Sequence, residues 1–408
     1  MNAPWVIVAA GFHQKGGMDK ANLALADYLL EREIPVHLVT HSIEPSVAKH
    51  PLATVHLVAR PAQSFFLGEF ALAARGKKVA RQTLRRHPSA QVVVNGGNCV
   101  WPGINWAHYV HRAWAGSPGS ARRGALAYRT PVAYRIKNAV ASNHARRTEK
   151  AAFERARLII SNSRRTTSEL VEYFGVDRDC VHTVYLGSDP AWGPVSPEER
   201  AASRKSLQAP ESRGLAVFVG GLGYDDRKGF DVLFRAWQNL CSRPDWDVDL
   251  MVAGTGPAAP AWQAKVRQAG LEDRIRLLGF TDQVKSVLAA ADLLVSPVRY
   301  ESYGLNVQEA ICRGVPAMVS ASAGVAEQYD SGCAPLLIPD PEEAGDLVQR
   351  LLLWRSNREH WRARFQPFGQ RLRSRTWRDT AVDFVSIVEQ QRPAEAAVGS
   401  SLVGNPNA

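Results

Sequence analysis

Strand-length apolar runs alternate with helix-length amphipathic stretches through most of the chain, and few folds accept that pattern. Trp5–Ala10 reads as a strand, Gly11–Gly17 as a loop, Asp19–Leu30 as a helix and Ile34–Val39 as the returning strand. Strands are expected again near Val55–Val58, Val92–Val94, Leu158–Ser161 and Val181–Tyr185, and a longer one from Trp101 to His111. Between them, Glu69–Arg86, Asn138–Arg155 and Thr166–Phe174 have helical spacing. Pro190, Pro194 and Pro197 mark a linker, after which the alternation restarts with strands at Ala216–Gly220, Leu250–Ala253, Ile275–Leu278 and Leu293–Val295. A helix after each strand makes a parallel sheet covered on both faces. With 408 residues, the chain can build two such α/β domains, each with its own core.

Pro297–Ala310 says most about function. The buried strand Leu293-Leu294-Val295 leads into it, Val307, Ala310 and Ile311 then recur at helical spacing, and Gly314 and Pro316 stop the helix. Glu301 falls in the loop, Gly304 at the turn and Glu309 in the opening helical turns. Open α/β sheets bind ligands beyond their strands' carboxyl ends, and a helix N-terminus there offers unpaired N–H groups to an anion. Carboxylates beside such a place suit hydroxyls rather than phosphate, and a nucleotide-sugar carries both groups. The residues alone leave a second reading open, in which Glu309 complements the helix dipole and Glu301 is solvated. Arg227 and Lys228 sit in the loop Gly221–Gly229, beyond another strand's end. A diphosphate would lie there, and water would otherwise solvate the pair.

Charge is concentrated. From Arg112 to Arg165 thirteen Lys and Arg face only Glu149 and Glu154, so this segment accounts for the whole formal charge of +11. Such an excess suits an anionic partner, a lipid headgroup or a diphosphate, or else a solvated face. Nucleic acid is disfavoured because the segment has few interleaved aromatics and no recognised motif. The five cysteines are odd in number and scattered, which excludes metal-like pair spacing and fits small buried side chains in a reducing cytoplasm. No leader is visible, and no apolar run approaches the roughly 20 residues of a membrane span. The loop Gly11–Asp19 lacks the dinucleotide fingerprint, so NAD is not supported.

Tyr300-Glu301-Ser302-Tyr303-Gly304-Leu305, followed by Glu309-Ala310 and Gly314-Val315-Pro316, resembles the signature of the family 4 retaining glycosyltransferases of the GT-B fold. The resemblance covers nearly the whole chain and is strongest from Val217 to Ser320. It implies two Rossmann-like domains facing across a cleft: an acceptor-binding domain over 1–190 and a nucleotide-sugar domain over 191–375. A helix over 376–391 would cross back to the first domain, ahead of a disordered tail at 392–408. By the same resemblance Arg227, Lys228, Glu301 and His111 would be catalytic, with Glu301 on the transferred sugar's hydroxyls. Glu309 would hold the ribose, the N–H groups at Gly304 and Leu305 would help bind the diphosphate, and Tyr303 would belong to the donor site. Gly16 and Gly17 would approach donor and acceptor through their N–H groups, and Gly254 and Phe280 would border the base. His111 is favoured over His108, although Arg112 follows where relatives often have aspartate.

The implied protein is a cytoplasmic hexosyltransferase at the inner face of a membrane, with no metal and no cofactor beyond its UDP- or GDP-sugar substrate. Its acceptor would be a glycan or a lipid-linked precursor of a cell-envelope polysaccharide, met through Arg112, Arg122, Arg123, Arg146 and Arg147. One departure matters. Val219-Gly220-Gly221 lacks the arginine that relatives carry in Val-Gly-Arg, so a weak or inactive nucleotide-sugar-binding protein is the alternative.

Overall fold

The computed structural model describes residues 3–61, 64–116 and 131–391. Arg122, Arg123 and the 392–408 tail lie outside them. Fifteen strands are present among the described residues: β1 (Trp5–Val8), β2 (Gly11–Phe12), β3 (Val36–Thr40), β4 (Ser42–Ile43), β5 (Ala53–Leu57), β6 (Gln91–Asn95), β7 (Ile104–Ala107), β8 (Leu158–Ser161), β9 (Val181–Thr183), β10 (Gly214–Val219), β11 (Val248–Ala253), β12 (Ile275–Gly279), β13 (Leu293–Ser296), β14 (Ala317–Ser320) and β15 (Leu337–Ile338). They form a seven-stranded sheet ordered β5-β3-β1-β6-β7-β8-β9, a six-stranded sheet ordered β12-β11-β10-β13-β14-β15, and the short pair β2-β4. Every pairing is parallel. The reason lies in composition. Runs such as Val217-Phe218 and Leu293-Leu294-Val295 are apolar on both strand faces, and helices cover both.

The crossing helix Trp377–Gln390 opens with a capping box, Thr376 with Asp379, and packs against the helix Gly17–Glu31. Its Phe384, Val385 and Val388 are buried with Trp5, Trp106 and Leu25 of the first sheet's core. Gly187 makes the crossing possible, since a Cβ there would stand 2.1 Å from the Thr376 carbonyl oxygen.

Four expectations change. The strand expected to reach His111 stops at Ala107, and His111 opens the short helix His111–Gly116. The helix expected from Asn138 begins at Val132, with Pro131 preceding it, and the one expected from Glu69 begins at Phe65, capped by Ser64. Cys180 and Cys241 are half-buried rather than buried, and all five cysteines are free. No helix among the described residues is long and apolar enough to cross a membrane.

Candidate active site

β10 and β13 are neighbours at the centre of the second sheet, with β11 and β12 on one side and β14 and β15 on the other. Their outgoing connections therefore diverge, and this switch point is where α/β sheets leave a crevice. The two loops that matter, Gly220–Gly229 and Pro297–Gly304, leave from it. They are forced together. Gly229 sits at φ 69°, and a Cβ there would lie 1.8 Å from the Pro297 carbonyl oxygen. The Arg299 N–H donates to the Arg227 carbonyl at 2.8 Å, and Asn306 Nδ2 donates to the Val219 carbonyl at 2.9 Å.

Arg299, though charged, is almost wholly buried. Its guanidinium grips the Asp231 carboxylate with two bonds of 2.6 and 2.8 Å and donates to the Asp226 carbonyl at 2.6 Å. Its Nε and Nη2 also reach the Glu342 carboxylate, the latter at 2.9 Å. Burial works against the charge, but hydrogen bonds donated to these two carboxylates hold its pKa above the ordinary arginine value. Arg299 thus rivets one loop to the other.

On that base the charged groups are placed. Lys228 Nζ pairs directly with Glu301 Oε2, and both side chains keep part of their surface exposed. The Arg227 guanidinium lies 5.2 Å from the Tyr109 ring centre, a contact from the other domain. Burial, the largest influence on it, pushes the Tyr109 hydroxyl up to about 12. The His111 ring meets Tyr109 edge-on at 4.6 Å. His111 is held from behind by Glu149, whose buried carboxylate takes the His111 N–H at 2.8 Å, contacts Nδ1 at 3.2 Å and takes the Arg112 N–H at 3.3 Å.

Gly304, at φ 112°, opens the helix Leu305–Cys312, whose first N–H groups lie beyond the end of β13. The Tyr303 side chain is buried in the first domain's core, in the cluster that includes Phe384 and Leu186, with its hydroxyl on Gln308. Leu305 packs on Gly17, where a Cβ would be 2.4 Å from Leu305 Cδ1. Gly16, at φ 87°, caps the helix carrying Lys20. Lys20 Nζ is 2.9 Å from Glu309 Oε1, so the carboxylate expected at the ribose meets a cation of the opposite domain. Burial pushes Glu309 upward in pKa, and Lys20 opposes this. Gly254, at φ 153°, lets two strand-end loops touch, its Cβ position being 1.9 Å from the Gly220 carbonyl oxygen. Phe280, beyond the end of the edge strand β12, is 79% exposed. Arg112 and Arg147 are exposed and Arg146 half-buried.

Several residues here escaped the sequence reading. Tyr300 is buried among Tyr109, Trp114 and Phe174 of the first domain, donates to Glu169 Oε2 at 2.8 Å and accepts the Val110 N–H at 3.1 Å. Ser302 Oγ donates to the His108 carbonyl at 2.6 Å, while Ser163 Oγ donates to the Ser302 carbonyl at 2.7 Å. The loop Tyr300–Tyr303 is therefore a plug seated in the opposite domain. Its partners stand more than a hundred residues away, and no local pattern announces them.

Residues 15–192 match the model of Glycosyltransferase Family 4, and residues 213–353 match that of Glycosyl transferases group 1. The chain belongs to the group 1, family 4-like glycosyltransferases. A D-inositol 3-phosphate glycosyltransferase of Jonesia denitrificans is 29% identical to it over 258 residues, 60% of each chain. The aligned stretches of the first curated relatives span 43% and 60% of their own lengths. Among solved structures, WaaG, a glycosyltransferase involved in lipopolysaccharide biosynthesis, superposes with a TM-score of 0.72 at 18% identity, over 94% of this chain and 99% of its own. Anabaena HepE in complex with UDP-glucose superposes with a TM-score of 0.65 at 17% identity, over 94% and 99%. Likeness at such identities concerns the fold, and it confirms GT-B for this glycosyltransferase.

Proposed function

We propose that this glycosyltransferase moves a hexosyl unit from a UDP- or GDP-sugar to a glycan or lipid-linked acceptor, with retention at the anomeric carbon. The observation that carries the reading is the Lys228–Glu301 pair, set at the switch point beside the helix start at Gly304. Breaking the bond between anomeric carbon and phosphate oxygen builds negative charge on the leaving diphosphate. Lys228, Arg227 and the N–H groups at Gly304 and Leu305 would take up that charge, so the reading needs no metal ion. Glu301, released from Lys228 as phosphate arrives, would accept hydrogen bonds from the sugar hydroxyls. With the acceptor on the donor's leaving face, the departing phosphate would take the acceptor's proton. The UDP-glucose in complex with HepE supports a nucleotide-sugar donor. The basic segment, with Arg112, Arg146 and Arg147, supports an anionic acceptor at the cytoplasmic face of a membrane.

The test is a thermal-shift panel of nucleotide-sugars, followed by nucleotide release with and without acceptor. One or more UDP- or GDP-sugars should stabilise the chain, and Lys228→Ala should lower turnover by roughly 10²–10³. A panel without a stabilising nucleotide-sugar would end the reading. Gly221 favours a second one, because the first loop cation of relatives is missing. A protein that binds the sugar nucleotide without transfer would show the thermal shift and release no nucleotide under either condition.

A further inference from the structure

A cavity of about 150 Å³ lies at the end of the second sheet opposite the candidate active site, between the residues that lead into β13 and β14, Ala291 and Pro316. Its charged lining is three arginines, Arg200, Arg313 and Arg362, and among the described residues no aspartate or glutamate lines it. The carboxylates nearby do not balance these groups. Asp292 alone meets Arg200 at 2.7 Å, Arg204 at 3.3 Å and Arg362 at 3.4 Å. Glu211, largely exposed, reaches Arg204 at 3.4 Å, and Glu199 stands 2.5 Å from Arg313. Four guanidinium groups thus share three carboxylates. Arg200 and Arg204 also hold the Ala290 carbonyl, whereas Asp292 is the only hydrogen-bond partner of Arg362 among the described residues. Arg313 is the clearest case. It is 2% exposed, yet its Nε has no hydrogen-bond partner among the described residues. A buried N–H without an acceptor is destabilising, and a ligand oxygen would relieve it.

Several guanidinium groups around one small cavity suit a tetrahedral oxyanion, because each offers a planar fork of N–H donors to phosphate oxygens. We propose that this cavity binds a phosphate group, either free or carried by a small phosphorylated metabolite. It is too small for a nucleotide-sugar, since sites for ligands of that size run to roughly 300–1,000 Å³. Its position gives the occupant two points of purchase. Arg313 Nη1 donates to the Gly193 carbonyl at 3.3 Å, and the Val195 N–H donates to the Arg313 carbonyl at 3.1 Å, so the cavity wall is fastened to the linker between the domains. Arg313 also follows directly on the helix Leu305–Cys312, whose opposite end at Gly304 faces the candidate active site. An anion drawn onto Arg313 therefore bears on the linker and on that helix together. The inference stands independently of the proposed transferase, because none of the residues assigned to the donor lines this cavity.

The test is calorimetric titration of the full chain carrying Lys228→Ala, which removes a cation of the proposed donor site, with inorganic phosphate, glycerol 3-phosphate and glycerol. Ionic strength is held constant with sodium chloride, and phosphate is kept low enough that its exclusion from the protein surface does not contribute. One site per chain is expected for inorganic phosphate or glycerol 3-phosphate, and none for glycerol. Tighter binding of glycerol 3-phosphate identifies a phosphorylated metabolite as the occupant, and tighter binding of inorganic phosphate identifies the free anion. Arg362→Glu, added to the same chain, should weaken binding at least tenfold. Gln366→Glu should do the same, because it places a charge on the cavity lining at nearly unchanged shape and leaves every arginine in place. Leu353→Glu, which adds the same charge to an exposed side chain outside the cavity, should leave binding unchanged. Absence of binding by both phosphate compounds overturns the site, as do undiminished binding in the Arg362 and Gln366 variants and equal weakening by Leu353→Glu. A wild-type chain that binds phosphate here and shows no nucleotide-sugar thermal shift counts against the transferase reading alone.

Discussion

Arg299 bears on both stability and geometry, because two carboxylates and a carbonyl converge on one guanidinium. Arg299→Met should leave Asp231 buried without its counter-ion and cost about 3–5 kcal/mol in chemical denaturation. The same variant should lose turnover beyond its loss of folded protein, since the loops carrying Lys228 and Glu301 would no longer be held together. His108 offers a test by pH. Burial pushes its imidazole down to about 3, against about 6.5 in an unfolded chain. Between these values the unfolded chain takes up a proton that the folded site refuses. Its contribution is therefore complete above pH 6.5 and declines as pH falls toward 3. Compared with wild type, His108→Phe should flatten the stability loss between pH 7 and pH 5 by about 2 kcal/mol, read from urea midpoints.

Among the elements, the plug Tyr300–Tyr303 and the loop Gly220–Gly229 define the site. Gly229→Ala adds a Cβ 1.8 Å from the Pro297 oxygen at φ 69°. It should cost more than about 1 kcal/mol and weaken nucleotide-sugar binding measured by calorimetry. Thr376→Ala removes one side of a capping box and should cost about 1 kcal/mol in thermal unfolding. The strands and most helices were legible because burial on both faces writes continuous apolar runs, as at Val92-Val93-Val94. The two loops of the candidate site were legible because a strand end, a glycine and paired charges fall together there. Tyr109, Glu149 and Arg299 were not, since each acts through a partner brought near only by the fold, such as Asp231, 68 residues from Arg299. His111 was misplaced because Trp101–His111 keeps an apolar, aromatic character through the end of β7 and into the next helix.

For the whole molecule, two sheets are joined by the linker near Pro190, the plug, the Lys20–Glu309 pair at 2.9 Å and the crossing helix. Phe384 stacks within 4.5 Å of Trp106 and 6.5 Å of Trp5, and its complete burial makes the crossing helix part of the first core. Phe384→Ala should cost about 3–5 kcal/mol, and calorimetry should show the loss in the transition of the first domain. The first domain's core is thus completed by residues that follow the second domain in the chain. During synthesis it waits, with its Trp5 and Trp106 pocket uncovered, until the second domain has been made. For the same reason, a chimaera that exchanges the second domain between relatives must keep residues 377–390 with the first, or the graft will lack the segment that seals its host.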